Sequence, residues 1–464
     1  MKKEVLVIGG GMAGVEAAML LARRGIHVDL MEMRPTQTTA AHKTDQLGEL
    51  VCSNSLGSNS EHTAPSILKR EMRAIGSLIL EAAEHAQVPA GSALSVDREK
   101  FANWITEKIA QEKNIRVVRQ EQLTLPSDQL CIVATGPLTS DALAAELATC
   151  FDKESLYFYD SISPIIDAQS IDESQCYFAN RYDQERGDYL NCPLDKDQYE
   201  TLVQEILDAE KVPLHQFEEM KCFESCMPIE VMASRGMKTL AFGPMKPVGL
   251  EHPKTGKRPY AVVQLRKENE PTTMYNMVGF QSRMKWPEQK RVFRMIPGLQ
   301  QAEFIRMGSM HRNTYIDSPR LLHEDLSIKN KPNVFVAGQL TGVEGYVESA
   351  AMGLWSALKV YGRITDSVID LPPIESGLGS LIRVITCNPL KSEFSPMNMN
   401  FGIFPPMPAG AGKKKGKKER RALMDERAQK AFDRWMDQGM RDHSKVSMVT
   451  GEQPTWKTTS NNLA

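Results

Sequence analysis

The chain has 464 residues, which is too long for one ordinary hydrophobic core and predicts two or three domains. Apolar residues make up 41% of it and charged residues 25%, the balance of a soluble globular protein rather than a disordered or fibrous one. The net charge is −2, so any surface that binds nucleic acid must be local. No apolar run approaches the roughly 18 residues of a membrane span, and residues 1–3 lead into a strand without an export signal. We therefore expect a cytoplasmic protein with no membrane partner.

The first third of the chain alternates patterns typical of strands and helices. Val5 to Ile8 predicts a buried strand, a helix is predicted from about Ala13 to Arg24, and His27 to Met31 predicts a second strand. Later patterns predict helices at Ser66 to His85 and Arg98 to Glu112, and strands near Arg116 to Arg119 and Leu130 to Ala134. This alternation indicates an α/β protein with one nucleotide-binding sheet.

The pattern changes near residue 140 and returns near residue 330. Between them Tyr, Pro and Met are frequent, and short apolar runs such as Tyr260 to Leu265 predict strands. Asn333 to Gly338 again predicts a strand that leads into glycine, followed by a helix from Ser349 to Tyr361. We therefore predict a Rossmann-like domain in two parts, residues 1–140 and 326–375, around an inserted α+β domain, residues 141–325. The rest, residues 376–464, is predicted to be a C-terminal extension with proline-rich loops, a basic run, a disordered tail and an amphipathic helix that carries Met424, Ala428, Phe432 and Trp435.

A dinucleotide-binding motif follows the first strand: Gly9, Gly10, Gly11, Met12, Ala13 and Gly14. Its spacing lets Gly9 make the tight turn, Gly11 admit a pyrophosphate, and Gly14 pack the helix on the sheet. Glu32 lies 21 residues after Gly11, where a carboxylate accepts hydrogen bonds from ribose and repels a 2′-phosphate. The motif therefore favours FAD or NAD over NADP.

A second glycine-rich junction between a strand and a helix lies about 300 residues after the first. It resembles the distal motif of two-part FAD proteins, in which a backbone turn holds the ribityl chain and a helix N-terminus faces the flavin. Gly338, Gln339, Glu344 and Tyr346 are the candidate FAD residues, although Tyr346 could equally be core packing. A methyltransferase that uses S-adenosylmethionine would explain the first motif but not the second, so FAD is favoured.

Two of the eight cysteines lie in segments that could carry chemistry. Cys52 is in a polar loop that leaves the nucleotide-binding strand and could reach a flavin. Cys226 lies two residues before Pro228, which favours a loop or helix end. No second cysteine follows Cys52 closely, which argues against a disulfide reductase, and no pair of suitable spacing completes a metal site with Cys222 and Cys226. From the residues alone, Cys52 and Cys226 are either small buried side chains or nucleophiles.

Six segments together resemble the family of folate- and FAD-dependent tRNA (uracil-5-)-methyltransferases. They are GGGMAGVEAA, GELVCSNSLGSN, ATGPLTS, FESCMPIEVMA, HRNTYIDSP and VFVAGQLTGVEGYVESAAMGL, and they span nearly the whole chain. The nearest alternative is the GidA-like family of wobble-uridine modification, which shares the FAD framework but is considerably longer. A flavoenzyme that acts on a small molecule and a flavin-stabilised RNA-binding protein are further alternatives.

The resemblance implies methylation of carbon 5 of the uridine at position 54 in the T loop of tRNA. In such a family NAD(P)H reduces FAD, and a methylene group passes from 5,10-methylenetetrahydrofolate by way of the flavin to uracil. Cys226 would be the nucleophile that adds to carbon 6 of uracil and activates carbon 5. Cys52 would be either the base that removes the carbon-5 proton or the group that shields the flavin-bound carbon. His311 would stack on the folate pterin; its alternative is a structural role.

A tRNA substrate requires contacts to phosphates, for which two sets of basic residues are candidates. The first is a run in the C-terminal extension that equally reads as a solvated tail: Lys413, Lys414, Lys415, Lys417, Lys418, Arg420 and Arg421. The second surrounds Trp286, which could stack a base, in the inserted domain: Arg283, Lys285, Lys290, Arg291 and Arg294.

Overall fold

A computed structural model describes most of the chain: residues 4–39, 41–150, 156–181, 187–212, 227–268, 272–387, 394, 396–408 and 416–439. For residues 156–162, 309–313 and 417 the description covers the backbone alone. Cys222, Cys226 and Lys413 to Lys415 therefore lie outside the described residues.

Residues 4–150 alternate strands with helices. The strands are β1 (Glu4–Ile8), β2 (His27–Met31), β3 (Ser55–Ser58), β4 (Gln87–Val88), β5 (Ala93–Val96), β6 (Ile115–Val118) and β7 (Cys131–Val133). The helices are α1 (Met12–Arg23), α2 (Ala64–Ile75), α3 (Leu78–His85), α4 (Arg98–Gln111) and α5 (Asp141–Thr149). The single helix predicted over Ser66 to His85 is wrong: Gly76 adopts a left-handed φ of 96° that ends α2, and the Ser77 side chain caps α3.

Residues 156–321 form a second unit around an antiparallel sheet. Its strands are β8 (Leu156–Ile162), β9 (Ile165–Asp167), β10 (Tyr177–Ala179), β11 (Tyr189–Leu194), β12 (Ala261–Lys267), β13 (Met274–Met277), β14 (Phe304–Arg306) and β15 (Ser309–Tyr315). Its helices are α6 (Lys196–Asp208), α7 (Ile229–Ser234), α8 (Thr239–Phe242), α9 (Trp286–Phe293) and α10 (Ser318–Leu321). The sheet order is β10-β11-β12-β13-β9-β14, and β8 pairs with β15 as a separate ribbon. The unit has its own core, in which Tyr199, Phe280 and Phe293 are buried.

The remaining elements are β16 (Ser327–Ile328), β17 (Lys331–Val336), α11 (Tyr346–Thr365), α12 (Gly377–Cys387) and α13 (Lys417–Gly439). Ala428, Phe432 and Trp435 are buried, which confirms the amphipathic helix predicted in the C-terminal extension. The loops predicted after Leu371 are partly wrong, because α12 lies there. The two glycines and the short length of α12 weaken its helical pattern in the sequence. Its N-terminus is stabilised by a buried acid from elsewhere in the chain, because Glu71 accepts hydrogen bonds from the amides of Gly377 and Leu378 at 2.8 Å.

One six-stranded sheet unites the two ends of the domain, in the order β16-β17-β7-β1-β2-β6. β17 is parallel to β7, with Val334 opposite Cys131, and β7 is parallel to β1. α11 packs closely on α1: a Cβ on Gly353 would lie 2.2 Å from the Ala13 carbonyl oxygen. The Rossmann-like fold with an inserted α+β unit and a helical extension is thus confirmed. No helix among the described residues is long and apolar enough to cross a membrane.

Candidate functional site

A cavity of about 400 Å³ lies between α1, the N-terminus of α11 and the loop that follows β2. Both glycine junctions line it, together with Cys52: the lining includes Gly11, Met12, Ala13, Gly338, Gln339, Glu344 and Tyr346. A smaller cavity of about 70 Å³ beside Gly9, Gly10 and Glu32 shares part of this lining, including Gly11 and His42. The two cavities are therefore adjacent, and together they are called the cleft.

The first glycine junction leaves room for a phosphate at one position only. Gly11 caps α1 without a side-chain hydrogen bond, so the first amides of the helix are open to an anion. A Cβ on Gly11 would meet no atom within 4 Å, whereas one on Gly14 would lie 1.8 Å from the Gly9 carbonyl oxygen. Gly11 thus leaves open space beside the start of α1, whereas Gly14 allows the helix to pack closely.

Glu32 is buried at the end of β2 and is already fully hydrogen-bonded within the protein. Its Oε2 accepts from the Gly10 amide at 3.0 Å and from Arg34 Nη2 at 3.1 Å, and its Oε1 accepts from Arg34 N and Nε, both at 2.9 Å. Burial by itself raises the pKa of Glu32, but the hydrogen bonds and charge of Arg34 outweigh it, and the pKa is lowered. Ribose hydroxyls would therefore share this carboxylate with Arg34.

Arg34 also fixes the loop that leads to Cys52, a role that the sequence analysis missed. Its side chain is 2% exposed, and Nη1 donates to Glu49 Oε2 at 2.9 Å and to the Thr44 carbonyl oxygen at 3.1 Å. Glu49 in turn accepts from the amides of Lys43 and Thr44. The arginine in Glu32-Met33-Arg34 is the only sequence signal for this network, which links Glu32 to the loop that carries Cys52.

Cys52 lies where three parts of the chain meet. Its amide donates to Tyr346 Oη at 2.8 Å, which joins it to the second glycine junction. Its carbonyl oxygen accepts from Arg98 Nη2 at 3.1 Å, and Arg98 Nε donates to Glu268 Oε2 of the inserted unit at 2.5 Å. A second guanidinium, that of Arg306, is close enough to Cys52 and Tyr346 to interact electrostatically, and burial together with the charge of Arg98 lowers its pKa. Two cations thus favour a negative charge beside Cys52.

The N-terminus of α11 brings a buried acid, Glu348, to the cavity, and the buried amine of Lys69 on α2 interacts with it. Gly345 caps this helix without a side-chain hydrogen bond, and the positive end of the helix faces the cavity, because Gly345 and Tyr346 line it. Glu348 is 8% exposed, its pKa is raised by burial, and its Oε1 accepts from the Met399 amide at 2.9 Å. Lys69 interacts electrostatically with Glu348, and burial lowers the pKa of Lys69 to about 8. Met399 also lines the cavity, so the C-terminal extension completes one wall.

Comparison with known proteins assigns the chain to a family. Residues 4–367 match the family described as glucose inhibited division protein A, GIDA. A protein from Exiguobacterium sp., named methylenetetrahydrofolate–tRNA-(uracil-5-)-methyltransferase TrmFO, is 51% identical over 437 residues, which cover 94% of this chain and 100% of that protein. The protein of the same name from Geobacter sulfurreducens is 50% identical over 433 residues, which cover 93% and 98%. This chain belongs to the TrmFO family.

A solved structure of a longer protein shares the fold of this chain. Aquifex aeolicus GidA superposes with a TM-score of 0.69 at 18% identity, covering 94% of this chain and 75% of the GidA chain. At that identity the likeness shows the fold alone. The relatives with about 50% identity carry the name of the folate-dependent enzyme, as the resemblance implied.

The TrmFO resemblance singles out His311 and Cys226; the structure describes the backbone of His311 alone, and Cys226 is outside the described residues. His311 lies on β15, where its backbone pairs opposite Asp160, and its side chain is outside the described residues. The end of β15 meets the second glycine junction, because the Ile316 amide donates to the Leu340 carbonyl oxygen at 2.9 Å. Cys226 is outside the described residues; three residues later the Ile229 amide donates to the Gln281 carbonyl oxygen at 2.8 Å.

The basic residues around Trp286 are largely paired with acids. Lys285 forms an ion pair with Glu210, and Arg291 forms ion pairs with both Glu205 and Glu288. Trp286 itself is 66% exposed. Arg283 lies 3.7 Å from Glu230, and Arg294 donates to the Ala302 carbonyl oxygen. In the other basic set, Arg420 and Arg421 lie in the first turns of α13. The positive charge expected around Trp286 is therefore mostly neutralised.

Proposed function

We propose that this protein methylates carbon 5 of a uridine in tRNA, with 5,10-methylenetetrahydrofolate as the carbon donor and FAD bound in the cavity. Membership of the TrmFO family supports this reaction, since relatives with about 50% identity carry its name. The structural observation that carries the proposal is one cavity that brings Cys52 to both glycine junctions. Neither glycine junction alone would indicate that a thiol lies beside the flavin.

The residues around the cleft fit FAD. The amides at the start of α1, next to Gly11, would bind the pyrophosphate, and Glu32 with Arg34 would hold the ribose. The turn at Gly338 and Gln339 would hold the ribityl chain, and the N-terminus of α11 would face the flavin pyrimidine. When bound, FAD supplies a carrier for the one-carbon unit and a hydride.

The substrates of the proposed reaction follow from the family resemblance. NADH or NADPH would supply the electrons, and the target would be the uridine at position 54 of the T loop. His311 would stack on the folate pterin, and Glu344 and Tyr346 would position flavin or folate. Tyr346 is suited to this role because it both lines the cavity and accepts the Cys52 amide hydrogen bond.

Two thiols divide the proposed chemistry on uracil. The Cys226 thiolate would add to carbon 6, which moves an electron pair towards oxygen 4 and makes carbon 5 nucleophilic. After the carbon is transferred, Cys52 would either take the carbon-5 proton or shield the reactive carbon. Release of Cys226 and addition of a hydride, which reduced FAD would supply, would leave a methyl group on carbon 5. Arg98 and Arg306 would stabilise the negative charge that develops near Cys52, because both are cationic and partly desolvated there.

Transfer of labelled carbon from 5,10-methylenetetrahydrofolate to unmodified tRNA tests the proposal. We expect 5-methyluridine with the intact FAD-bound protein, no product with Cys226→Ala, and a rate lowered roughly 10²- to 10⁴-fold with Cys52→Ala if Cys52 is the base. Cys150→Ala is the matched control, since Cys150 is a partly exposed thiol that does not line the cavity. No transfer by intact protein would overturn the reaction, and equal loss in all three variants would overturn the assignment of the thiols.

A further inference from the structure

A positively charged and partly apolar surface follows α7 in the inserted unit. We call it the α7–α8 surface and define it by Arg235, Met237, Lys238, Phe242, Lys246 and Val248. From Val231 to Leu250 the sequence contains three basic residues and neither Asp nor Glu, in a chain whose net charge is −2. Phe242 is 78% exposed, and Met237 and Val248 are about 40% exposed. Exposed apolar and cationic side chains thus occur together in a stretch that contains no acid between Glu230 and Glu251.

The three cations of this surface are available to a ligand. Among the described residues, no ion pair or side-chain hydrogen bond engages Arg235, Lys238 or Lys246. The cations around Trp286 are different, because Lys285 and Arg291 are held by glutamates. Among the described residues, the cations of the α7–α8 surface are therefore unpaired, whereas Lys285 and Arg291 beside Trp286 are paired.

The backbone beneath the α7–α8 surface is firmly held. Leu240 and Met245 are fully buried, and the Met245 amide donates to the Leu240 carbonyl oxygen at 2.9 Å. Tyr199 Oη donates to the Met237 carbonyl oxygen at 2.7 Å and accepts from the Ala241 amide at 3.0 Å. The exposure of Phe242 is thus the outcome of an ordered turn, and its ring is presented to solvent from a fixed backbone.

The α7–α8 surface lies within reach of the proposed nucleophile. Cys226 is three residues from Ile229, so at most about 11 Å of extended chain separates them. α7 has six residues, which span about 9 Å of helix before Arg235. The length of the chain alone therefore limits the distance between Arg235 and Cys226 to at most roughly 20 Å.

We propose that the α7–α8 surface binds the tRNA substrate, with Arg235, Lys238 and Lys246 on phosphates and Phe242 stacked on an unpaired base. The inference rests on the proposed function and adds to it the surface that receives the RNA. Phosphates need cations that are not already paired, and loop bases stack on exposed aromatic rings. The α7–α8 surface supplies both, next to the segment that carries Cys226.

Binding of unmodified tRNA to the FAD-bound full-length protein, followed by fluorescence anisotropy at several salt concentrations, tests the charges. The double variant Arg235→Gln, Lys238→Gln is compared with Lys108→Gln, Lys113→Gln, which removes two exposed cations from the other domain. Two lost phosphate contacts should lower the slope of log K against log salt by about 1.4 to 1.8 and weaken binding roughly 10- to 30-fold near 0.15 M salt. The control pair should bind like the intact protein.

The aromatic contact has its own test. Phe242→Ala should weaken tRNA binding by roughly 5- to 150-fold with little change in salt slope, because stacking is not an ionic contact. Trp286→Ala removes another highly exposed aromatic side chain, 66% exposed, and should leave affinity unchanged. The reverse result, loss with Trp286→Ala alone, would overturn the proposal and place the RNA on the surface around α9.

The outcomes separate this inference from the proposed function. If intact protein methylates tRNA and the Arg235, Lys238 double variant shows an unchanged KM for tRNA and unchanged affinity, the surface is wrong and the reaction stands. If intact protein binds no tRNA, the proposed function itself fails. If the variants alter the mass of the protein in solution while RNA binding is unchanged, the surface joins two copies of the chain and the RNA proposal is overturned.

Discussion

Replacing Gly11 with alanine separates cofactor binding from folding. Gly11 has φ −81° and ψ −168°, which alanine adopts without strain, and a Cβ there would meet no protein atom within 4 Å. The added methyl group would instead project into the space where the pyrophosphate approaches the first turn of α1. We therefore expect Gly11→Ala to fold nearly normally and to bind FAD poorly.

The magnitudes follow from the local geometry. Alanine is a poorer helix cap than glycine, so the apoprotein should lose about 0.5–1 kcal/mol. Displacing the pyrophosphate weakens one or two charge-assisted hydrogen bonds, which is worth about 2–4 kcal/mol, or roughly a 30- to 700-fold rise in the Kd for FAD. The loss in binding should thus exceed the loss in stability several-fold.

Flavin fluorescence titration and urea unfolding of the apoprotein measure the two effects. Gly353→Ala is the contrasting variant, because its Cβ would lie 2.2 Å from the Ala13 carbonyl oxygen, where α11 crosses α1. No rotamer change relieves a clash with backbone, so this variant should lose at least about 2 kcal/mol of stability without any ligand. Normal FAD affinity in Gly11→Ala would refute the placement of the pyrophosphate at this junction.

Three further predictions concern buried groups outside the cavity. Burial raises the pKa of Glu16 to about 8, so the folded state keeps a proton that the unfolded state loses above about pH 4.5. The free energy of unfolding should therefore fall between pH 4.5 and 8, by about 3 kcal/mol at pH 7. Glu16→Gln should remove this pH dependence, and urea midpoints of both proteins at pH 5 and 8 would show it. Glu71→Ala removes the acceptor of the Gly377 and Leu378 amides and should cost about 1–2 kcal/mol, with faster hydrogen exchange in α12; unchanged exchange would contradict this. Trp435→Ala removes a buried ring and its hydrogen bond to a backbone carbonyl. The free energy of unfolding should fall by about 3–5 kcal/mol, and α13 should become sensitive to protease. A helix that stays uncut would show that the docking of α13 does not depend on Trp435.

Local patterns were sufficient for the first two strands and the first helix of the domain. The strand, glycine turn and helix of residues 4–23 depend on neighbouring residues, since Gly9 supplies the positive φ and α1 begins at Met12. The same logic identified the second junction, where Gly338 also adopts a positive φ. These features are readable because conformational preference acts over a few residues.

Prediction was weaker where helices are short or depend on distant partners. The pattern over Ser66 to His85 is continuous, and a single glycine with φ 96° divides it into α2 and α3. α12 contains two glycines within its first three residues, which lowers its intrinsic helical preference. Its N-terminal amides are satisfied by Glu71, about 300 residues earlier, and no local pattern contains that information.

The sequence by itself determined the fold class, the two glycine junctions and, through resemblance, the candidate thiols. Tertiary structure alone decided that both junctions share one cavity with Cys52, since the amide of Cys52 meets the hydroxyl of Tyr346 across 294 positions of the chain. It also decided which cations are paired and which stay open to a ligand. The physical reason is that hydrogen bonds and ion pairs depend on distance in space, whereas sequence patterns report preferences of neighbouring residues.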